Sequence, residues 1–270
     1  MKLGLYLRNM GPQSSPATIV ASARAAEAEG LDELWLADHI AIPPDQSEGS
    51  GGRYLDPLAT LAFLAGTTER IGLGTGVLVL PYRPPLATAK WIATIQELSN
   101  GRVLFGVGVG WMEPEFRAVG VPYADRGRVT DATLAFIGRC FAADAAESNG
   151  QPFVFLPRPA RPPILVGGGV QAFRRIVAHA DGWMPLLAKD ADPALLREPI
   201  ATLRERMRAA GKPAPEVAVL TELPLADPPA AAARLQACAA VGVTRVGHVW
   251  RYPDAAAFGH AAEALAKLRA

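Results

Sequence analysis

Apolar positions along this chain follow two alternating rhythms. Short β-rich runs such as Lys2-Leu3-Gly4-Leu5-Tyr6-Leu7 trade places with longer Ala-rich amphipathic stretches from one end to the other, as expected of repeated βα units around a parallel sheet. The pattern predicts strands over 2–7, 33–37, 71–79, 102–109, 163–167, 182–186, 216–222 and 244–249. Helices are predicted near 16–29, 57–68, 84–98, 126–142, 171–180, 192–210, 228–240 and 254–269. About eight βα units is the number that a closed (β/α)8 TIM-type barrel needs, and one such α/β domain accounts for residues 1–270. A doubly wound sheet normally has fewer strands and carries a dinucleotide fingerprint in its first βα turn. Here that turn reads Arg8-Asn9-Met10-Gly11-Pro12-Gln13 and holds no such fingerprint.

Two connections are longer than a barrel requires. Ile40 to Asp56, with Pro43, Pro44, Gly49, Gly51 and Gly52, follows the second strand at the end where barrel active sites sit, and has the makings of a lid. Asp144 to Pro163 carries Pro157, Pro159, Pro162 and Pro163 and is expected to form a stiff extended path into the fifth strand. Asp227 is expected to cap the helix that begins with Pro228 and Pro229.

The glycines break the apolar pattern in a regular way. Gly106, Gly108 and Gly110 share one parity of the fourth strand, and Gly72, Gly74 and Gly76 share one parity of the third. One face of each strand is therefore bare backbone. Either run alone fits close packing of strands as well as it fits a ligand. Together they favour a planar cofactor lying in the vacated volume.

Composition narrows the partners. Twenty-seven Lys and Arg nearly balance 26 Asp and Glu, so nothing favours a nucleic acid or an anionic membrane, and a small-molecule substrate is the default. Cys140 and Cys238 lie far apart in Ala-rich, helix-like segments and read as buried thiols suited to a reducing cytoplasm. The N-terminus lacks the features of a secretory signal, and the four histidines show no metal-ligand spacing.

Three segments carry candidate chemistry. Ala37-Asp38-His39 ends the second strand and puts a carboxylate beside an imidazole able to move a proton near neutral pH. On the dipeptide alone, a turn-capping Asp38 and a satisfied loop His39 is the stronger reading. Gly167-Gly168-Gly169, before a helix with Arg174 and Arg175, can converge backbone N–H groups on an anion such as phosphate, or can simply be a flexible turn. Trp183 is expected to pack inside the barrel.

With these residues assembled, the chain resembles the luciferase-like monooxygenase superfamily, in particular the branch that uses the deazaflavin cofactor F420. The matching pieces, in family order, are Ala37-Asp38-His39, Ile71-Gly72-Leu73-Gly74-Thr75-Gly76-Val77, Gly101-Arg102-Val103, Gly106 to Trp111, Arg126-Gly127-Arg128, Pro163 to Gly168 and Asp181-Gly182-Trp183. The match weakens after about residue 190. The resemblance implies a barrel with a flavin or deazaflavin at its C-terminal mouth, hydride transfer to or from that ring, and a homodimer. It implies that Asp38 bonds the deazaflavin edge and that Gly76-Val77 forms a bulge or non-prolyl cis peptide behind the ring. It further implies that Gly106 and Gly108 line the ring cavity, that Gly167, Gly168 and Gly169 hold the phosphate, and that His39 is the catalytic proton carrier.

The chain also departs from the family. Trp111 stands where the sugar-phosphate dehydrogenases of this superfamily carry a carboxylate, and Thr130-Asp131-Ala132 replaces a frequent Asp-Glu pair. Trp111 and Tyr54, with Trp35 and Phe116, point instead to an apolar or aromatic-walled substrate pocket. Three functions follow: an F420-dependent oxidoreductase, an FMN-dependent monooxygenase on the same barrel, and a catalytically silent flavin- or F420-binding protein. The Ala-, Arg- and Pro-rich composition suits a GC-rich genome and tilts the choice toward F420.

Overall fold

The computed structural model describes residues 1–269. Its strands are β1 (Lys2–Tyr6), β2 (Glu33–Leu36), β3 (Gly72–Thr75), β4 (Leu78–Val79), β5 (Val103–Gly108), β6 (Ala145–Ser148), β7 (Gln151–Val154), β8 (Ile164–Gly167), β9 (Gly182–Met184), β10 (Glu216–Thr221) and β11 (Arg245–His248). The helices are α1 (Pro16–Ala28), α2 (Pro57–Ala65), α3 (Pro85–Leu98), α4 (Glu113–Ala118), α5 (Arg126–Ala142), α6 (Phe173–His179), α7 (Arg197–Ala209), α8 (Pro228–Val241) and α9 (Ala255–Lys267). Parallel strands run in the order β3-β2-β1-β11-β10-β9-β8-β5, and a β3–β5 pairing closes the ring. Strand β4 continues the β3 stave beyond a break and also pairs with β5. All eight staves expected from the hydrophobic pattern are present, so the fold is the TIM-type barrel.

Local chemistry fixes the helix starts. The Ser15 hydroxyl accepts from Thr18 N ahead of α1, Asp56 accepts from Leu58 N and Ala59 N ahead of α2, and Asp227 accepts from Ala230 N ahead of α8. Each follows the N-cap rule, with proline in the first turn.

Between barrel and helices lies one large hydrophobic core. The barrel interior is filled separately by Trp35, Leu104, Leu165, Met184, Ala218 and Leu220. This filling overturns the expectation that the glycine rows leave room for a ring. A Cβ on Gly74 would lie 2.3 Å from Trp35 Cε3, and one on Gly4 or Gly247 would lie 3.1 or 3.2 Å from Trp35 Nε1. The fully buried indole of Trp35 occupies the space these glycines vacate. A Cβ on Gly106 would fall 1.9 Å from the Thr75 carbonyl oxygen, and one on Gly108 would fall 2.6 Å from Val77 Cγ2. Gly106 and Gly108 are thus buried points of close approach between the β3–β4 stave and β5 and do not line a cavity; interiors packed to crystal-like density leave no alternative.

Three further details differ from the sequence-based expectations. The 144–163 connection is not purely extended: β6 and β7 form an antiparallel hairpin through Asn149 (φ 52°) and Gly150 (φ 76°), the left-handed pair that a tight hairpin turn requires. Trp183 faces out of the barrel, since Gly182 and Met184 take the inward parity; its ring meets Phe173 of α6 edge-on at 5.2 Å. The short helix α4 lies where the pattern shows no periodic run. Among the described residues, no helix is long and apolar enough to cross a membrane.

Candidate functional site

The C-terminal mouth is organised by a buried carboxylate. Gly110 (φ 80°) turns the chain out of β5, and Phe116 of α4 packs edge-on against Tyr82 at 5.1 Å and Tyr123 at 5.2 Å. This anchors α4 and aims Glu115 back beneath the mouth. Glu115 is fully buried and accepts four hydrogen bonds: Ile40 N at 2.6 Å and Ala41 N at 2.9 Å on Oε1, Tyr82 Oη at 2.8 Å and His39 Nδ1 at 2.9 Å on Oε2. Burial alone would raise its pKa. The bonds from His39, the two backbone amides and Tyr82 outweigh that and hold it down at about 2.

This fixes what His39 can do. An ionised carboxylate only accepts, so Nδ1 of His39 carries the proton that Glu115 receives. Nε2 has no partner among the described residues and is the nitrogen free to exchange a proton. The imidazole is 19% exposed, with the Tyr54 ring edge-on at 5.0 Å and the Trp111 ring at 6.0 Å. His39, Tyr54 and Trp111, placed at the mouth from sequence, therefore meet. Trp111 is 67% exposed, and its backbone carbonyl accepts from Tyr123 Oη at 3.1 Å. Phe116 and Trp35, by contrast, are fully buried structural residues.

Asp38 faces the other way. Its carboxylate takes Arg83 Nη1 at 2.7 Å and Nη2 at 2.8 Å, a bidentate pair, and Val79 N at 2.8 Å. The side chain is sealed from solvent, so a direct bond from Asp38 to a ring edge, as the resemblance implies, is not the arrangement found. Arg83 Nη2 also donates to Asp56 at 2.7 Å. One guanidinium thereby ties together both ends of the 40–56 segment. Asn9, fully buried, adds a second tie: Nδ2 donates to the carbonyls of Ala37 and Leu55, and Oδ1 accepts from Ala37 N.

The Gly76–Val77 peptide is cis, and Tyr6 Oη donates to the Gly76 carbonyl at 3.0 Å. Val77 covers Gly108 and Gly167 and stands half-buried at the top of the filled interior, which makes it the floor of the mouth. Across the mouth, Gly168 has φ 119°, a conformation that favours glycine. Its carbonyl accepts from Trp183 Nε1 at 2.7 Å, and a Cβ there would meet nothing nearer than 3.9 Å. The loop is thus held in shape, with Gln171 lying against Gly169, where a Cβ would come within 2.6 Å of its Oε1. Arg174 and Arg175 are engaged elsewhere: both pair with Asp131, at 2.6 and 2.5 Å. Any anion there would be held by the backbone of Gly167, Gly168 and Gly169. Among the described residues, no group of three His, Cys, Asp or Glu side chains could hold a metal ion.

A filled parallel barrel whose C-terminal end brings His39, Tyr54 and Trp111 together is matched over residues 1–270 by the luciferase-like monooxygenase model, and the chain belongs to that family. It is 32% identical to an uncharacterized protein of Mycobacterium tuberculosis over 95% of this chain and 94% of the relative. Two solved structures share the fold. The monooxygenase RslO1 from Streptomyces bottropensis superposes with a TM-score of 0.80 at 18% identity, over 99% of this chain and 98% of that one. An F420-dependent secondary alcohol dehydrogenase in complex with an F420–acetone adduct superposes with a TM-score of 0.80 at 16% identity, over 99% of this chain and 97% of that one. The family relationship supports a luciferase-like oxidoreductase.

Proposed function

We propose that this protein is an F420-dependent oxidoreductase acting on a small organic molecule at the barrel mouth. The observation that carries the proposal is the Glu115-held His39: an imidazole with Nδ1 fixed and Nε2 without a partner among the described residues, at the end of the barrel that also carries Val77 and the glycine turn after β8. Hydride transfer to a carbonyl carbon needs a proton at the oxygen, and the reverse reaction needs one removed. His39 Nε2 meets that need. The deazaflavin supplies or accepts the hydride when bound. The residues that would hold it are Val77 as an apolar floor and the backbone of Gly167 to Gly169 as a phosphate seat, where a Cβ on Gly168 would meet nothing nearer than 3.9 Å. The fit lies above the filled interior and not within it. Trp111 and Tyr54 flank His39 edge-on and give the substrate side an aromatic wall.

Glu115 weakens the case for a catalytically silent binder. The acid missing at position 111 has a counterpart four residues on, already bonded to the imidazole. An FMN-dependent monooxygenase remains the second reading, because a monooxygenase shares the fold at the same TM-score as the F420 enzyme. The assay is turnover against cofactor affinity in His39→Ala. Turnover is expected to fall by ~10²-fold or more with cofactor affinity within about twofold of wild type. Unchanged turnover removes His39 from the mechanism.

A further inference from the structure

The register of β1 against β11 places two arginines side by side on the rim. Gly4 pairs with Gly247 and Leu5 with His248. Gly4 and Gly247 lie against Trp35 inside the barrel, and Tyr6 and Val249 pack on the same interior cluster. Arg8 and Arg251 each follow two residues after Tyr6 and Val249, just beyond the C-terminal ends of β1 and β11. Their guanidinium groups converge on one residue of the 40–56 segment. Arg8 Nη2 donates to the Gly49 carbonyl at 3.1 Å, and a Cβ on Gly49 would stand 3.4 Å from Arg251 Nη2. Arg8 Nε reaches only the neutral Gln13 Oε1, at 3.3 Å.

Neither arginine has a carboxylate within 4.0 Å among the described residues, and unlike Arg53, Arg102 and Arg234, which also lack one but are held by protein oxygens, Arg251 has no hydrogen-bond partner there. Arg8 is held by the Gly49 carbonyl and Gln13 while Arg251 is exposed beside it; two neighbouring cations without a counter-charge repel each other, and a guanidinium fork matches carboxylate geometry well. Position decides which ligand supplies the charge. Strand β1 adjoins β2, whose end carries His39, while the glycine cradle after β8 lies four staves away, across the mouth. Tyr54, edge-on to His39, belongs to the same segment as Gly49 and bridges to Met10. The pair therefore borders the His39 side of the mouth and not the cradle side.

We infer that Arg8 and Arg251 recognise a carboxylate on the substrate, so that the substrate is an organic acid. This rests on the reading of the His39 side as the substrate site. The test titrates protein free of cofactor with benzoate and with its neutral isostere benzamide, in wild type and in Arg8→Gln/Arg251→Gln, by calorimetry. Wild type is expected to bind benzoate about tenfold more tightly than benzamide, the effect of one charge-assisted bond, and the double variant is expected to bind both equally. Equal binding in wild type, or a preference for benzoate that survives in the double variant, overturns the inference. If the double variant fails to fold, Arg251→Gln alone, at an exposed position, is expected to remove part of the preference, and no change there counts against the inference. A second arm separates the acidic tail of the cofactor as the source of the anion. Loss of affinity for intact F420, with a tail-free deazaflavin and benzoate both bound as before, would assign the pair to the cofactor and overturn the inference. Because the benzoate arm contains no cofactor, its failure is distinguishable from failure of the F420 reading.

Discussion

Replacing Glu115 by glutamine removes one charge and leaves the shape of the side chain. The carboxylate holds its proton only below about 2, compared with the usual 4.5. That displacement is equivalent to ~3 kcal/mol of preference for the ionised form in the folded protein. The sign follows from a depressed folded-state pKa: the stabilisation is complete above the unfolded value and is lost as pH falls from about 4.5 toward 2. The amide oxygen of the substituted side chain can still accept from Ile40 N and Ala41 N, but its amide nitrogen then faces Tyr82 Oη and His39 Nδ1 as a donor. Glu115→Gln is therefore expected to cost ~3 kcal/mol in urea unfolding at about pH 7, shrinking to ~2 kcal/mol at about pH 3.5. It should also push the His39 proton from Nδ1 to Nε2, which a long-range 1H–15N spectrum of the cofactor-free protein reads directly. Turnover should drop by ~10²-fold or more, because Nε2 can no longer accept a proton. A cost that is the same at both pH values, or an Nδ1–H imidazole in the variant, would refute the reasoning.

Arg83→Met leaves the buried Asp38 carboxylate without its bidentate partner and unties Asp56. It should destabilise the protein by ~3–5 kcal/mol and expose the 40–56 segment to limited proteolysis; an unchanged digestion pattern would show that the arginine does not clamp the segment. Gly106→Ala drives a methyl group onto the Thr75 carbonyl and should abolish soluble folded protein, whereas Gly138→Ala, on α5 with nothing within 4 Å, should stabilise by ~0.5–1 kcal/mol in thermal melts. Equal effects at the two positions would contradict the packing account of the glycine rows.

The barrel was legible because its staves keep the period of a buried parallel strand and its helices keep caps such as Asp227, whose bond to Ala230 N is in place. The glycine rows were misleading because a bare face on one strand says nothing about what fills it. Trp35 fills it from β2, a neighbour in the ring and not in the same run. Asp38 shows the same limit: its partner Arg83 lies 45 residues on. The role of Glu115 is not legible in the sequence because α4 is only six residues long, too short for a periodic signal. Its four-residue spacing from Trp111 was the one available hint. His39, Tyr54 and Trp111 come together in the structure because side chains at stave ends and in the long loops beside them are the ones that reach the C-terminal end of a barrel.

Parallel titrations of the purified protein with F420 and with FMN, followed by cofactor fluorescence, test the central proposal most directly. F420 is expected to saturate at low micromolar concentration while FMN fails to compete. Tight binding of FMN with no uptake of F420 would contradict it.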